Sequence, residues 1–144
     1  MIEGSSYSAR THRGWKLSTG KKIGLGIVFV WFFFGGIGHF VMTDFFVSIV
    51  PPWVPWPEAA VYVSGVFELL GAFGILVQRF RSLAGIGLCL LTLAVTPANV
   101  HMWLHPELFP DFPEPLLTVR LVIQVLFLGC IWWSTRPVAV KYAA

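Results

Sequence analysis

Six residues of this chain could do chemistry in an apolar setting: His39, Glu68, Asn99, His101, Arg120 and Gln124. Imidazole and carboxylate side chains accept and release protons. A guanidinium and two amides can hydrogen-bond a carbonyl oxygen or one another. All six fall inside, or near the ends of, long apolar runs. Ionisable groups within membrane spans are rare and usually face a bundle interior or a water-filled cavity. Glu68 and His39 are therefore the candidate catalytic, proton-handling residues. Asn99, His101, Arg120 and Gln124 are the candidate ligand-binding residues.

Their spacing narrows the arrangement. Arg120 and Gln124 are four apart and share a helix face. Glu68 is the only carboxylate deep in the apolar runs, and Arg120 the only guanidinium there. They are expected to pair, directly or through Gln124 or a water. Asn99 and His101 follow Pro97 within Thr96-Pro97-Ala98-Asn99-Val100-His101-Met102. On a regular helix they point about 200° apart, so both face inward only if the helix breaks after Pro97. Structural roles compete with each assignment. A Glu68–Arg120 bridge could simply lock two helices, and Asn99 could cap a carbonyl freed by Pro97. His39 and His101 could in principle ligate haem iron, but no C-x-x-C-H motif accompanies them. No zinc motif, phosphate loop or nucleophile elbow occurs, and no metal site is expected.

The elements that must position these groups follow from composition. The chain has 144 residues, 56% hydrophobic and only 12% charged, with a mean hydropathy of +0.75. A water-soluble domain of this size could not hide so much apolar surface. The fold class is all-α: an integral membrane, antiparallel four-helix bundle with the lipid bilayer as its main partner. The formal charge of +3 does not imply nucleic acid, because the basic residues cluster at the ends of apolar runs. Two cysteines, Cys89 and Cys130, lie inside those runs and read as buried, inert thiols.

Residues 1–22 form a polar, basic tail with Arg10, Arg13, Lys16, Lys21 and Lys22. The long apolar run after it lacks a small-x-small cleavage site, so the tail is not read as a signal peptide. Four spanning helices are expected at about 23–42, 58–78, 83–104 and 116–135, each near the 20 residues that a bilayer requires. Phe45 to Pro57 holds four prolines and two tryptophans and should lie as a loop at the membrane interface. Ser64, Gly65, Glu68, Gly71 and Ala72 make a small, polar stripe suited to close helix packing. Residues 136–144 form a second basic tail. Lys and Arg outside the helices fall in the two tails and the turn Arg79-Phe80-Arg81. The positive-inside rule then sets both termini in the cytoplasm and predicts a multi-pass protein of the cell (inner) membrane. With that topology the polar groups of all four helices converge in the outer half.

Five short motifs in this order resemble the DoxX-like family of small four-helix bacterial membrane proteins. They are Gly38-His39-Phe40, Ile49-Val50-Pro51-Pro52-Trp53-Val54-Pro55, Ser64-Gly65-x-x-Glu68-Leu69-Leu70-Gly71, Pro97-Ala98-Asn99-Val100-His101-Met102 and Arg120-Leu121-x-x-Gln124. The likeness runs from about Gly24 to Trp133. Val122 departs from it, since a proline is expected after Arg-Leu. Some family members are tied to thiosulfate:quinone oxidoreductase or to oxidative-stress complexes. The resemblance implies an accessory subunit of a membrane redox system, binding a quinone-like lipophile in the outer-half pocket. Any oxidoreductase role would then need a redox partner subunit to supply electrons. A non-redox carrier for a small lipophile and a structural scaffold are the alternatives, and self-association into a homo-oligomer is compatible with each.

Overall fold

The computed structural model describes residues 17–137. The expected tails, apart from Leu17 to Lys22 and Arg136 to Pro137, lie outside the described residues. The elements are α1 (Thr19–Val41), a short α2 (Thr43–Ser48), α3 (Pro57–Leu76), α4 (Arg81–Ala94), α5 (Thr96–Leu104), a 3-10 turn (Pro106–Leu108) and α6 (Glu114–Thr135). Four spans, with α4 and α5 forming one of them, are long and apolar enough to cross a membrane. Packing runs α1 on α3, α3 on α4, α4 and α5 on α6, and α6 back on α1. The ring closes as an antiparallel four-helix bundle in which α3 and α6 are diagonal.

The helix ends follow local chemistry. Ser18 caps α1 by accepting from the Lys21 amide at 3.4 Å, so α1 starts four residues before the expected boundary at residue 23. Lys21 lies within the helix and donates its Nζ to the Arg136 carbonyl at 2.6 Å. Arg81 Nε donates to the Ile75 carbonyl at 2.8 Å, at the end of α3. The basic residues at this end of the bundle thus satisfy carbonyls that a helix C-terminus leaves open. Pro57 opens α3 at its first turn, where a missing N–H costs nothing.

Two expectations change in detail. The segment from Phe45 is not all loop: α2 occupies Thr43–Ser48, before the first proline, and the loop proper begins at Ile49. The third span is broken near Pro97, but at Val95 between α4 and α5, and not after Pro97 as an inward-facing His101 would need. Pro97 sits in the first turn of α5, where its ring is tolerated, and α5 continues regularly to Leu104.

Two buried apolar clusters hold the bundle. One, toward the end of the bundle that holds Thr19 and Thr135 and is called inner for that reason alone, contains Leu25, Val28, Phe32, Ala72, Ile75, Leu88 and Ile131, with Cys89 and Cys130 packed against it as free thiols. The outer one contains Ile49, Met102, Phe109 and Leu117. Most remaining large apolar side chains face outward, such as Phe34, Leu70 and Leu126 at 65%, 62% and 68% exposure. Such a surface suits lipid and not water.

Close helix contact is concentrated at a few glycines. A Cβ on Gly36 would lie 2.8 Å from Leu69 Cγ, and one on Gly65 would lie 2.7 Å from His39 Cβ. α1 and α3 therefore meet backbone to backbone, as small-residue membrane interfaces do. A Cβ on Gly26 or Gly87 would meet nothing within 4 Å. Gly65→Val should lower stability in detergent by about 1–3 kcal/mol through overpacking. Gly26→Ala and Gly87→Ala should raise it by about 0.5–1 kcal/mol. Denaturant unfolding followed by circular dichroism checks both signs.

Candidate functional site

Between the two apolar clusters lies a cavity of about 1100 Å³. His39, Glu68, Asn99, Arg120 and Gln124 all line it. Five of the six residues singled out from sequence thus reach one space. His101 does not line it. Because α5 is regular, Asn99 turns inward and His101 points away, its ring 4.8 Å from that of His105 and 6.4 Å from that of Phe109. Beyond it His105 lies 3.2 Å from the exposed Glu107. The Glu107 carboxyl is held below its usual range by a hydrogen bond from its own backbone N–H and, more weakly, by His105.

One wall of the cavity carries His39 and Glu68. His39, at 6% exposure, is buried. Its Nδ1 lies 2.9 Å from the Val61 carbonyl and 3.0 Å from Ser64 Oγ. Ser64 Oγ itself donates to the Val61 carbonyl at 2.8 Å. A carbonyl can only accept, so Nδ1 carries a proton and Ser64 accepts from it while donating onward. That fixes the tautomer and turns Nε2 toward Glu68. Nε2 lies 3.5 Å from Glu68 Oε1, within ion-pair distance. Phe46 of α2 stacks on the imidazole with ring centroids 4.0 Å apart, which holds the ring plane.

The second Glu68 oxygen, Oε2, is buried and has no hydrogen-bond partner. A Cβ on Gly35 would sit 2.7 Å from it, so the glycine keeps open the space that this oxygen occupies. A buried carboxylate oxygen left unpaired is costly unless something else completes it.

The facing wall comes from α5 and α6. Asn99 Nδ2 donates to Gln124 Oε1, and Gln124 Nε2 donates to Thr96 Oγ1 at 2.6 Å. Thr96 in turn donates to the Thr92 carbonyl at 3.0 Å. The chain of bonds starts at the break between α4 and α5 and holds both amides in place. Arg120 lies one turn above Gln124 toward the outer end. Its guanidinium donates to Met102 Sδ at 3.6 Å, a weak acceptor.

The expected Glu68–Arg120 pair does not form. Among the described residues the ion pairs are His39–Glu68 and His105–Glu107. The reason is topological: α3 and α6 are diagonal, and the cavity lies between them. Glu68 takes the histidine of its neighbour α1, and Arg120 is left with a sulfur of its neighbour α5.

Ser64, Phe46, Thr96 and Met102 were not singled out as site residues. Ser64 had a legible signal, since it lies four residues before Glu68 and shares its helix face. Thr96 sits one turn from Asn99 in the proline-containing stretch. Phe46 and Met102 reach the site only through tertiary packing. No cluster of three or more His, Cys, Asp or Glu suited to a metal ion occurs among the described residues.

If the Asn99–Gln124 bond joins α5 to α6, the two amides should couple. Asn99→Leu and Gln124→Leu should each cost about 1 kcal/mol. The double variant should cost less than the sum, as read from a double-mutant cycle of unfolding in detergent.

Residues 28–136 match a family model described as a domain of unknown function, DUF8561. No curated protein and no solved structure matches the chain. The match spans every residue of the cavity, and the chain belongs to the DUF8561 family.

Proposed function

We propose that this protein binds a quinone-like lipophile in its cavity and serves as an accessory subunit of a membrane redox system. The observation that carries the reading is that Glu68 and Arg120 both line one apolar cavity and do not pair with each other. Glu68 Oε2 has no partner, and Arg120 has only the Met102 sulfur. An apolar pocket with a few convergent polar groups is the usual form of a small-molecule site. A bundle serving only as a scaffold would fill its interior instead. The resemblance to the DoxX-like family, whose members include quinone-linked proteins, points the same way.

The residues fit such a ligand. A bound quinone supplies two-electron, two-proton chemistry. Arg120 is suited to hydrogen-bond a carbonyl oxygen on one side, with the Asn99 and Gln124 amides beside it. On the other side, the Glu68 carboxyl is the group that would give or take one of the two protons. Ser64 and Val61 keep His39 Nδ1 occupied, so Nε2 is the imidazole atom that faces Glu68 and would exchange a proton with it. Electrons would come from a partner subunit. The expected orientation has both termini on the cytoplasmic side of the bacterial inner membrane. It sets this chemistry in the outer half of the bilayer. A non-redox carrier of a small lipophile would use the same cavity without needing the proton pair.

Native mass spectrometry with lipid extraction, on protein purified in mild detergent, tests the proposal. A stoichiometric lipophile should accompany the wild type. Affinity for a short-tailed benzoquinone should fall about 10–100-fold in Arg120→Gln, the cost of one hydrogen bond to a charged donor. Quinone reduced and reoxidised in place favours the redox reading, whereas exchange without redox change favours the carrier. A ligand-free wild type that takes up no quinone rejects both.

A further inference from the structure

The α1–α6 seam changes along its length. In the inner half the two helices run in a steady antiparallel register. A Cβ on Gly24 would lie 3.1 Å from Ser134 Cβ. Val28 and Ile131 are buried together in the inner cluster. Trp31 and Phe32 meet Phe127 at ring-centroid distances of 5.1 and 5.9 Å. Continued outward, the same register would set Gly35 beside Gln124 and His39 beside Arg120.

Those rungs do not form. Gly35 faces Glu68, and His39 faces Val61, Ser64 and Glu68, so α1 has turned to α3. Gln124 bonds Asn99 and Thr96, and Arg120 bonds Met102, so α6 has turned to the α5 side. Among the described residues no hydrogen bond or aromatic contact joins α1 to α6 above Phe127. Beyond these rungs Phe45 of α2 lies 5.7 Å from Phe112, just before α6, and bridges the two sides.

The slit between these limits is edged by Trp31, Phe34, Val119 and Ile123. All four line the cavity and are also exposed on the outside of the bundle. All four are apolar, and the slit lies within the spanning part of both helices. The seam between α3 and α5 is the rival route, since Val63 and Pro97 also line the cavity and are exposed, but α2 crosses its outer end and packs on α3. Ile49, just past the end of α2, joins Met102 of α5 in the outer cluster.

Resting on the proposed binding of a lipophile in this cavity, we infer that the ligand enters sideways from the bilayer. It passes between α1 and α6, head first, and leaves its tail among the lipids. The polar head meets Arg120 and the amides on the α6 side and Glu68 on the α3 side. Water need never be crossed.

The test uses full-length protein with Cys89→Ala and Cys130→Ala, reconstituted in phosphatidylcholine vesicles. Ile123→Cys is placed at the slit, Val63→Cys at the α3–α5 seam, and Leu70→Cys on the exposed side of α3, outside the cavity. Ile123→Cys should react with a lipid-soluble pyrene maleimide and not with a membrane-impermeant sulfonated one. Once modified, it should load a short-tailed benzoquinone roughly tenfold more slowly, as read by quenching of tryptophan fluorescence. Modified Leu70→Cys should load at nearly the unmodified rate, and modified Val63→Cys should load faster than modified Ile123→Cys. Reaction of Ile123→Cys with the sulfonated reagent, or loading slowed at Val63 as much as at Ile123, would overturn lateral entry through this seam. If the unmodified protein binds no quinone at equilibrium, the ligand class is wrong. The choice of reagent at Ile123 still decides whether the seam is open to lipid.

Discussion

Hydrocarbon offers no hydrogen bonds, and the outer half of this bundle depends on that constraint. Every polar group placed at membrane depth must find its partner inside the protein. Asn99, Gln124 and Thr96 satisfy one another in a chain anchored at the break between α4 and α5. His39 is satisfied by Val61 and Ser64 and approaches Glu68. Two groups are not completed in this way, the Glu68 Oε2 oxygen and the Arg120 guanidinium. They stand on diagonal helices with the cavity between them.

The helix order produces that separation. Glycines draw α1 onto α3, and Gly36 and Gly65 leave no room for a side chain between them. This brings His39 over Glu68. In the inner half large apolar side chains from all four spans fill the centre. In the outer half the centre is left open. The α1–α3 side carries the imidazole and carboxylate, and the α5–α6 side carries the amides and guanidinium.

Much of this was legible from the residues alone. Apolar run lengths place four spans to within a few residues of the observed ends, because about 20 residues must cross the hydrocarbon. Counting depth along each helix brings His39, Glu68, Asn99, Arg120 and Gln124 into the outer half, and the structure brings these five to one cavity. Depth says nothing about azimuth around the bundle. The expected Glu68–Arg120 pair failed there, since charge complementarity cannot reveal that two helices are diagonal. His101 was misplaced for a related reason. Pro97 marks the neighbourhood of a break but not the residue, and a break at Val95 leaves α5 regular and His101 outside. The short α2 was hidden by the prolines that follow it.

The account turns on the protonation geometry of His39. The most direct measurement is the ¹⁵N chemical shifts of its imidazole in selectively labelled, lipid-reconstituted protein. With Nδ1–H held by Val61 and Ser64, Nδ1 should show the shift of a protonated nitrogen. The Nε2 signal should move on addition of a short-tailed benzoquinone and in Glu68→Gln, while Nδ1 stays in place. A protonated Nε2 with an unprotonated Nδ1, or an Nε2 signal indifferent to both changes, would contradict the account.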